Sequence, residues 1–493
     1  MNRSDYIQVG LLGLLALLIF HPLFYTDYLY TDEAVQLWQY KSGTAFQMFL
    51  PQGRYVTEKL FRLLFSKAHT ISDVKMIRLV SFIGWLLCIP VWYYVIKQVV
   101  EKEALPKALP FFTVLYLICT PSFAIYVSWA SCLELFIANT SGLLSGYFLY
   151  KHISNNNNGI QLRAKEIGFA ILFGVLSLFT YQNGFGCFLL PFLPFFLAKP
   201  ARLQPFLIAI SVYFFIYLVY FLLFKFNLKV NGIVPSERTG LFIAPWGKLR
   251  FLVARPLNSA FHFTRLYNEN DWSSLIHYGL LLITWISATI YRFKTFSKVH
   301  MLRYFGVVFF FFILCYLPSL VVRENYASNR TLLALNMAVF IVVAETLFSV
   351  IRHERIKETA LVILSILFIG NAAYNFRQLF LNPITTEYRQ MRAFVETNYK
   401  PSIAALYFIR PPEDFFVKKY GIVRSWDEFG VPSTFFSWVP EYFVRQVVFE
   451  KTGNRQTAEK LLIKSWPEQA SFSQEALALT DSILVIDART VLK

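Results

Sequence analysis

Charged side chains are scarce in this sequence. They make up 16% of its 493 residues, against roughly 25% in an ordinary soluble domain, and hydrophobic residues fill the deficit at 56%. A soluble globule of this length has no interior able to hide so much apolar surface, so a set of soluble domains is excluded. Cysteine is equally thin. Cys88, Cys119, Cys132, Cys187 and Cys315 all fall in apolar stretches at irregular spacing, with no CxxC and no histidine close by, which argues against a disulfide framework and against a zinc site. No histidine pair shows a ligand spacing such as HExxH. Internal repeats are absent, as are the inverted halves that would favour a transporter.

What the sequence has instead is phenylalanine and tyrosine, 52 and 28 copies, in long runs rather than in alternation. Apolar stretches long enough to cross a hydrocarbon layer of ~30 Å lie near 6–24, 77–97, 108–127, 132–150, 167–182, 184–198, 206–224, 275–291, 304–322, 331–350 and 359–374, roughly eleven in all. The first lacks a small-residue cleavage site and reads as an uncleaved helix. The fifth and sixth are short and joined only by the turn Tyr181-Gln-Asn-Gly184.

Lys+Arg exceed Asp+Glu by 47 to 30, a net charge of +17. In a soluble chain this would raise the question of nucleic acid; in a membrane chain the position of each charge matters more than the sum. Counting odd spans as in-to-out gathers the Lys/Arg-rich loops at 97–107, 151–165, 199–202, 292–303 and 352–357 on one side. The positive-inside rule then places the N-terminus in the cytoplasm and the C-terminus outside, and no nucleic-acid partner is expected. The expected architecture is an all-α polytopic membrane module over 1–374, followed by a small extracytoplasmic α/β domain over 375–493. That tail has spaced charges and short β-type runs such as Ala404–Ile409 and Ser482–Asp487. Glu345, at the cytoplasmic end of its span, is expected to snorkel.

Chemistry is to be sought in the outer segments 25–76, 225–274 and 323–330 and in the tail. In the first, Asp32-Glu33 follows directly on the first span, where partial desolvation raises a carboxylate pKa toward that of a useful base. The competing reading makes Asp32 the cap of a helix over 33–40. Gly53-Arg54-Tyr55 comes about twenty residues later. Its guanidinium suits a bidentate grip on phosphate, or an anchor to lipid headgroups. Arg323 and Arg330 flank Glu324 in one short turn, where the opposite charges either pair together or hold phosphate and orient a sugar hydroxyl. In 225–274, Arg238, Lys248, Arg250 and Arg255 alternate with aromatics, the pattern of an interfacial helix, with Lys248 or Arg255 the candidates for phosphate. Glu134 is an acidic residue at membrane depth and a functional candidate by default.

A first span, an outer loop with paired acidic residues and a Gly-Arg-aromatic element about twenty residues on together resemble the GT-C class of membrane glycosyltransferases. Within it the pattern is most similar to the Gtr-type glucosyltransferases of bacterial O-antigen. Asp32-Glu33 matches the family's acidic pair, Gly53-Arg54-Tyr55 its Gly-Arg-Trp element with Tyr in place of Trp, and Tyr181-Gln182 a Tyr-Gln pair at a comparable place. The resemblance implies an inner-membrane enzyme that moves a sugar, with inversion, from a polyprenyl-phosphate donor to a glycan or glycolipid acceptor on the non-cytoplasmic face. Asp32 or Glu33 would be the base; Arg54, Arg323, Arg330 and Lys248 would bind donor phosphate; Tyr55, Glu134, Tyr181, Gln182 and Glu324 would contact substrate. A divalent cation held by Asp32 and other carboxylates is the one cofactor it admits. Two other functions are weighed: a flippase for a lipid-linked sugar, which predicts ionisable residues buried near mid-membrane along a path to both sides, whereas here nearly all lie at span ends, and an oligosaccharide polymerase, which would share the outer-face chemistry but act on a lipid-pyrophosphate glycan.

Overall fold

The computed structural model describes residues 2–39, 46, 48–155, 164–198, 203–237, 240, 244–268, 271–294, 298–351, 353–467 and 482–493. Arg238 lies outside the described residues.

Helices dominate. Among the described residues, eight are long and apolar enough to cross a membrane, and a ninth span is the bent pair Leu109–Cys119 and Pro121–Ser128, which meet at 54°. The bend follows from the sequence: a residue before proline is pushed out of the helical region, and Thr120 is extended at ψ 147 while its hydroxyl accepts the Phe123 N–H. The two shortest expected spans, 167–182 and 184–198, are the 17-residue helix Ala164–Thr180, the 3-10 segment Gln182–Leu189 and the short helix Phe192–Ala198. The 3-10 segment is pressed into the helix Leu135–Asn155, where a Cβ on Gly146 would lie 1.9 Å from the Phe188 carbonyl oxygen. Only glycine permits that approach.

Several charges within the helical layer are paired, as a low dielectric favours. Lys97 Nζ lies 2.6 Å from Asp5. Glu345 does not snorkel; it is fully buried against Arg292, because a helix neighbour supplies the cation that water would otherwise replace.

The helix Glu354–Tyr374 continues through a π turn, Asn375–Leu381, into Asn382–Asn398, so the expected boundary at 374/375 falls inside one helical run. Beyond it come β1 (Ala405–Ile409), β2 (Leu462–Trp466) and β3 (Ile483–Asp487), a parallel sheet in the order β2-β1-β3. Leu406 and Phe408 of the central strand are fully buried. The tail is bolted to the ends of the bundle. Glu450 accepts the Ile71 N–H at 2.7 Å, capping the long helix Ile71–Lys102, and Trp38 Nε1 donates to Gln446 at 3.0 Å. These contacts bring the tail onto the end of the bundle that carries the acidic pair.

Candidate active site

After the first span, Tyr28 and Tyr30 are buried and Thr31 takes a positive φ of 40°. That turn starts the helix Asp32–Gln39 and sends the two carboxylates apart. Glu33 goes inward and is fully enclosed. It is ion-paired with Arg78 of the helix Ile71–Lys102, whose Nε donates to Oε1 at 2.9 Å, and it accepts the backbone N–H of Tyr30 at 2.7 Å and of Ala130 at 2.8 Å. Arg78 also lies over the Tyr28 ring at 3.5 Å. Glu33 therefore has its acceptor capacity filled and ties three segments together. Asp32 stays half-buried, accepting from Trp438 Nε1 of the tail at 3.0 Å. One turn on, Gln36 accepts from Ser131 at 2.9 Å, which fixes this helix against the 3-10 turn Ala130–Cys132.

The Gly-Arg-Tyr element is positioned just as tightly. Gly53 has φ 75, and a Cβ there would stand 2.3 Å from the Tyr220 hydroxyl; that hydroxyl is held by Gln182 Nε2 at 2.8 Å, which also donates to the Gln52 carbonyl at 2.7 Å. The glycine thus accommodates a protein side chain. Arg54 heads the helix Tyr55–Phe65. Its guanidinium lies over the Tyr181 ring at 4.3 Å, with one long hydrogen bond of 3.4 Å to Gln182. Arg54, Tyr181 and Gln182, matched separately in the sequence, form one cluster. Tyr55 packs on Phe179, centroids 5.3 Å apart, and its buried hydroxyl has no protein partner.

Glu134 sits in the turn just before the helix Leu135–Asn155. It is 2% exposed and its Oε2 has no protein partner, although the charges of Arg54 and Arg330 both act on it. Arg330, in the first turn of the helix Asn329–Val350, lies over the Trp129 ring at 4.3 Å. Tyr181 feels Arg54, Arg330 and Glu134; Cys132 feels Arg330, Glu134, Glu428 and Asp32. The sequence candidates Asp32, Arg54, Glu134, Tyr181, Gln182 and Arg330 thus belong to one polar cluster, a candidate chamber, tied together by contacts and by charges that act on the same neighbours. Residues of the cluster and its chain neighbours include buried polar atoms without protein partners: Thr31 Oγ1, Tyr55 OH, Trp129 Nε1, Glu134 Oε2 and Asp427 Oδ1.

The sequence reading misses the acidic residues that the tail brings to this cluster. Asp427 and Glu428 enter from the tail and flank Arg330, at 3.2 and 3.3 Å. Glu428 also accepts the N–H groups of Asn329 (2.7 Å) and Arg330 (3.2 Å), serving as an external cap on that helix. Burial, reinforced by the neighbouring Asp427 charge and opposed by Arg330, pushes the Glu428 carboxyl up to about 7. Arg330 is thus engaged by Asp427, by Glu428 and by Tyr326, whereas no ion pair found among the described residues sets a carboxylate against Arg54. Trp129, under the Arg330 guanidinium, and Arg78, on Glu33, also carried no signal in the sequence.

The remaining candidates lie apart from this cluster. Arg323 and Glu324 are exposed, and the Arg323 N–H donates to the Gly240 carbonyl at 2.7 Å. Lys248 is buried beneath this loop with its ammonium on the Glu324 carbonyl at 2.9 Å, and burial lowers its pKa. Among the described residues no group of three or more His, Cys, Asp or Glu is arranged to hold a metal ion. No model of a known protein family matches the chain, and no curated protein matches it.

Proposed function

We propose that the chain is a membrane glycosyltransferase of GT-C type. In this reading it transfers a sugar from a polyprenyl-phosphate donor to a glycan or glycolipid hydroxyl, with the chamber on the non-cytoplasmic face of the inner membrane. The observation that carries the reading is the chamber itself: a stacked guanidinium, an unpartnered buried carboxylate and a half-exposed carboxylate gathered where the helices end. Phosphate is best held by a planar guanidinium that is not already neutralised, which favours Arg54 over Arg330. Arg330, clamped between Asp427 and Glu428, fits a positioning role, as does Glu33.

Asp32 takes the proton of the acceptor hydroxyl. The acceptor oxygen attacks the anomeric carbon on the face opposite the phosphate, the new C–O bond forms as the bond to the phosphate oxygen breaks, and the configuration inverts. The departing prenyl phosphate keeps the electron pair, and Arg54 stabilises that charge. The donor's prenyl chain lies along the apolar helices beside the chamber.

Purified protein given radiolabelled polyprenyl-phosphate sugar and an acceptor glycolipid tests this. Wild type is expected to transfer label, and Asp32→Asn to lose transfer by at least a hundredfold with normal membrane insertion. Full activity in Asp32→Asn overturns the base assignment. Movement of the lipid across the bilayer without transfer, in wild type, overturns the enzyme reading in favour of a flippase.

A further inference from the structure

The tail sends one exposed tryptophan to the proposed base. Residues 436–439 close a tight turn, in which the Val439 N–H donates to the Phe436 carbonyl at 3.0 Å. The buried Val439 and Pro440 then lead into the helix Pro440–Thr452. These buried neighbours anchor the turn, and Trp438 stands out at its tip. The ring is 51% exposed, yet it is not loose, because its Nε1 donates to Asp32 at 3.0 Å. Phe436 packs beside it, with ring centroids 4.9 Å apart. The edge of the indole is thus pinned to a carboxylate while half of its surface stays open.

This contact continues along one side of a helix. Asp32 and Gln39 are seven residues apart on the helix Asp32–Gln39, and that spacing puts both on the same face. Gln39 Nε2 donates to the Tyr442 hydroxyl at 3.4 Å, and Tyr442 lies in the first turn of the tail helix. The strip therefore pairs Trp438 with Asp32 and, about 10 Å further on, Tyr442 with Gln39. Beside it, Arg445 is already ion-paired with Glu441 at 2.9 Å.

These parts suit a neutral sugar. The C–H groups on one face of a pyranose ring carry slight positive charge and are drawn to the negative face of an indole. Carboxylate, amide and phenol groups at the edge match sugar hydroxyls, which both donate and accept. A phosphate or carboxylate would meet the Asp32 charge here. We propose that this strip is the acceptor platform of the transferase: a neutral hexopyranose stacks on Trp438 with its reacting hydroxyl directed at Asp32, and the next sugar meets Gln39 and Tyr442. The proposal deepens the transferase reading and rests on it. An exposed tryptophan also serves as a membrane-interface anchor, so the test has to separate sugar from lipid.

Two measurements on the full chain in phosphatidylcholine nanodiscs do so. The first locates the ring. The tryptophan emission that Trp438→Phe removes is expected to be quenched by aqueous acrylamide and spared by phosphatidylcholine brominated on its acyl chains. Quenching by the brominated lipid places the ring in the bilayer and overturns the proposal. The second is binding by saturation-transfer NMR, without donor or turnover, of the methyl glycosides of glucose, galactose, mannose and rhamnose and of glucuronate. At least one neutral glycoside is expected to bind more tightly than glucuronate. Trp438→Ala should weaken it by about tenfold, and Trp438→Phe, which keeps an aromatic face without the Nε1 donor, by no more than about threefold. No binding of any neutral glycoside, glucuronate as tight as the best of them, or unchanged binding in Trp438→Ala overturns the proposal. So does an equal loss in Trp438→Phe and Trp438→Ala, which would leave Trp438 only the task of holding Asp32. Transfer by wild type without neutral-glycoside binding refutes this inference alone; Trp438-dependent binding without transfer refutes the transferase reading alone.

Discussion

Replacing Glu33 by alanine strands a guanidinium in the core. Arg78 is 1% exposed, and its remaining acceptor is the Tyr28 carbonyl at 2.9 Å. Breaking a buried ion pair from one side costs about 3–5 kcal/mol, and the freed N–H groups of Tyr30 and Ala130 cost about 1–3 kcal/mol each when left unpaired. These losses share one site and do not sum, so Glu33→Ala is expected to destabilise by about 3–5 kcal/mol. Arg78→Met should cost somewhat less, because the carboxylate it leaves behind keeps two backbone donors. The double variant Glu33→Leu/Arg78→Met removes both charges, and its cost should fall short of the summed single variants by about 1–3 kcal/mol. Reversible unfolding by sodium dodecyl sulfate in mixed micelles, followed by tryptophan fluorescence, measures all of them. Strict additivity, or a Glu33→Ala cost within about 0.5 kcal/mol of zero, would refute the lock and return Glu33 to the list of bases.

Other consequences are as specific. Gly53→Ala meets both a positive φ and the pinned Tyr220 hydroxyl. It should destabilise by about 1–3 kcal/mol and lower transfer by displacing Arg54, both read on the same purified sample. Arg54→Lys keeps the charge but loses the plane that stacks on Tyr181, so the KM for donor should rise at least tenfold. The raised pKa of Glu428 means that the folded state holds a proton the unfolded chain releases. The associated stability is present below the unfolded value of 4.5 and is lost as pH rises through about 7, a change of up to about 3 kcal/mol. Glu428→Gln should flatten the unfolding midpoint across that window, and an unchanged slope would count against the burial argument.

Much of this molecule is written locally in its sequence. The long spans follow from hydrophobic runs and the β strands at 405–409 and 483–487 from their branched and aromatic runs, while the stretch 108–127, which reads as one span, is bent where Pro121 follows Thr120. The fifth and sixth expected spans were harder to read, because apolar content is the same in a 3-10 segment wedged beside Gly146 as in a helix that crosses lipid. In the site, Arg54, Tyr181 and Gln182 stood out as motif residues, yet nothing local said that they touch. Asp427 and Glu428 carried no signal, since a charged pair in a polar tail looks like any solvated turn. Their meaning comes from a partner almost 100 residues away, Arg330. The opposite holds for Glu33, whose adjacency to Asp32 suggested shared chemistry while its side chain serves Arg78.

The proposed transfer requires the phosphate of a prenyl-linked sugar to sit in the Arg54 cluster, and an experimental structure of the protein with a bound short-chain prenyl phosphate locates that group directly. The expected density places phosphate oxygens within about 3 Å of the Arg54 guanidinium, beside Tyr181 and facing Glu134, with the prenyl chain leaving along the apolar helices. Phosphate seated instead on Lys248 or Arg323, with Arg54 still on Gln182, would contradict it.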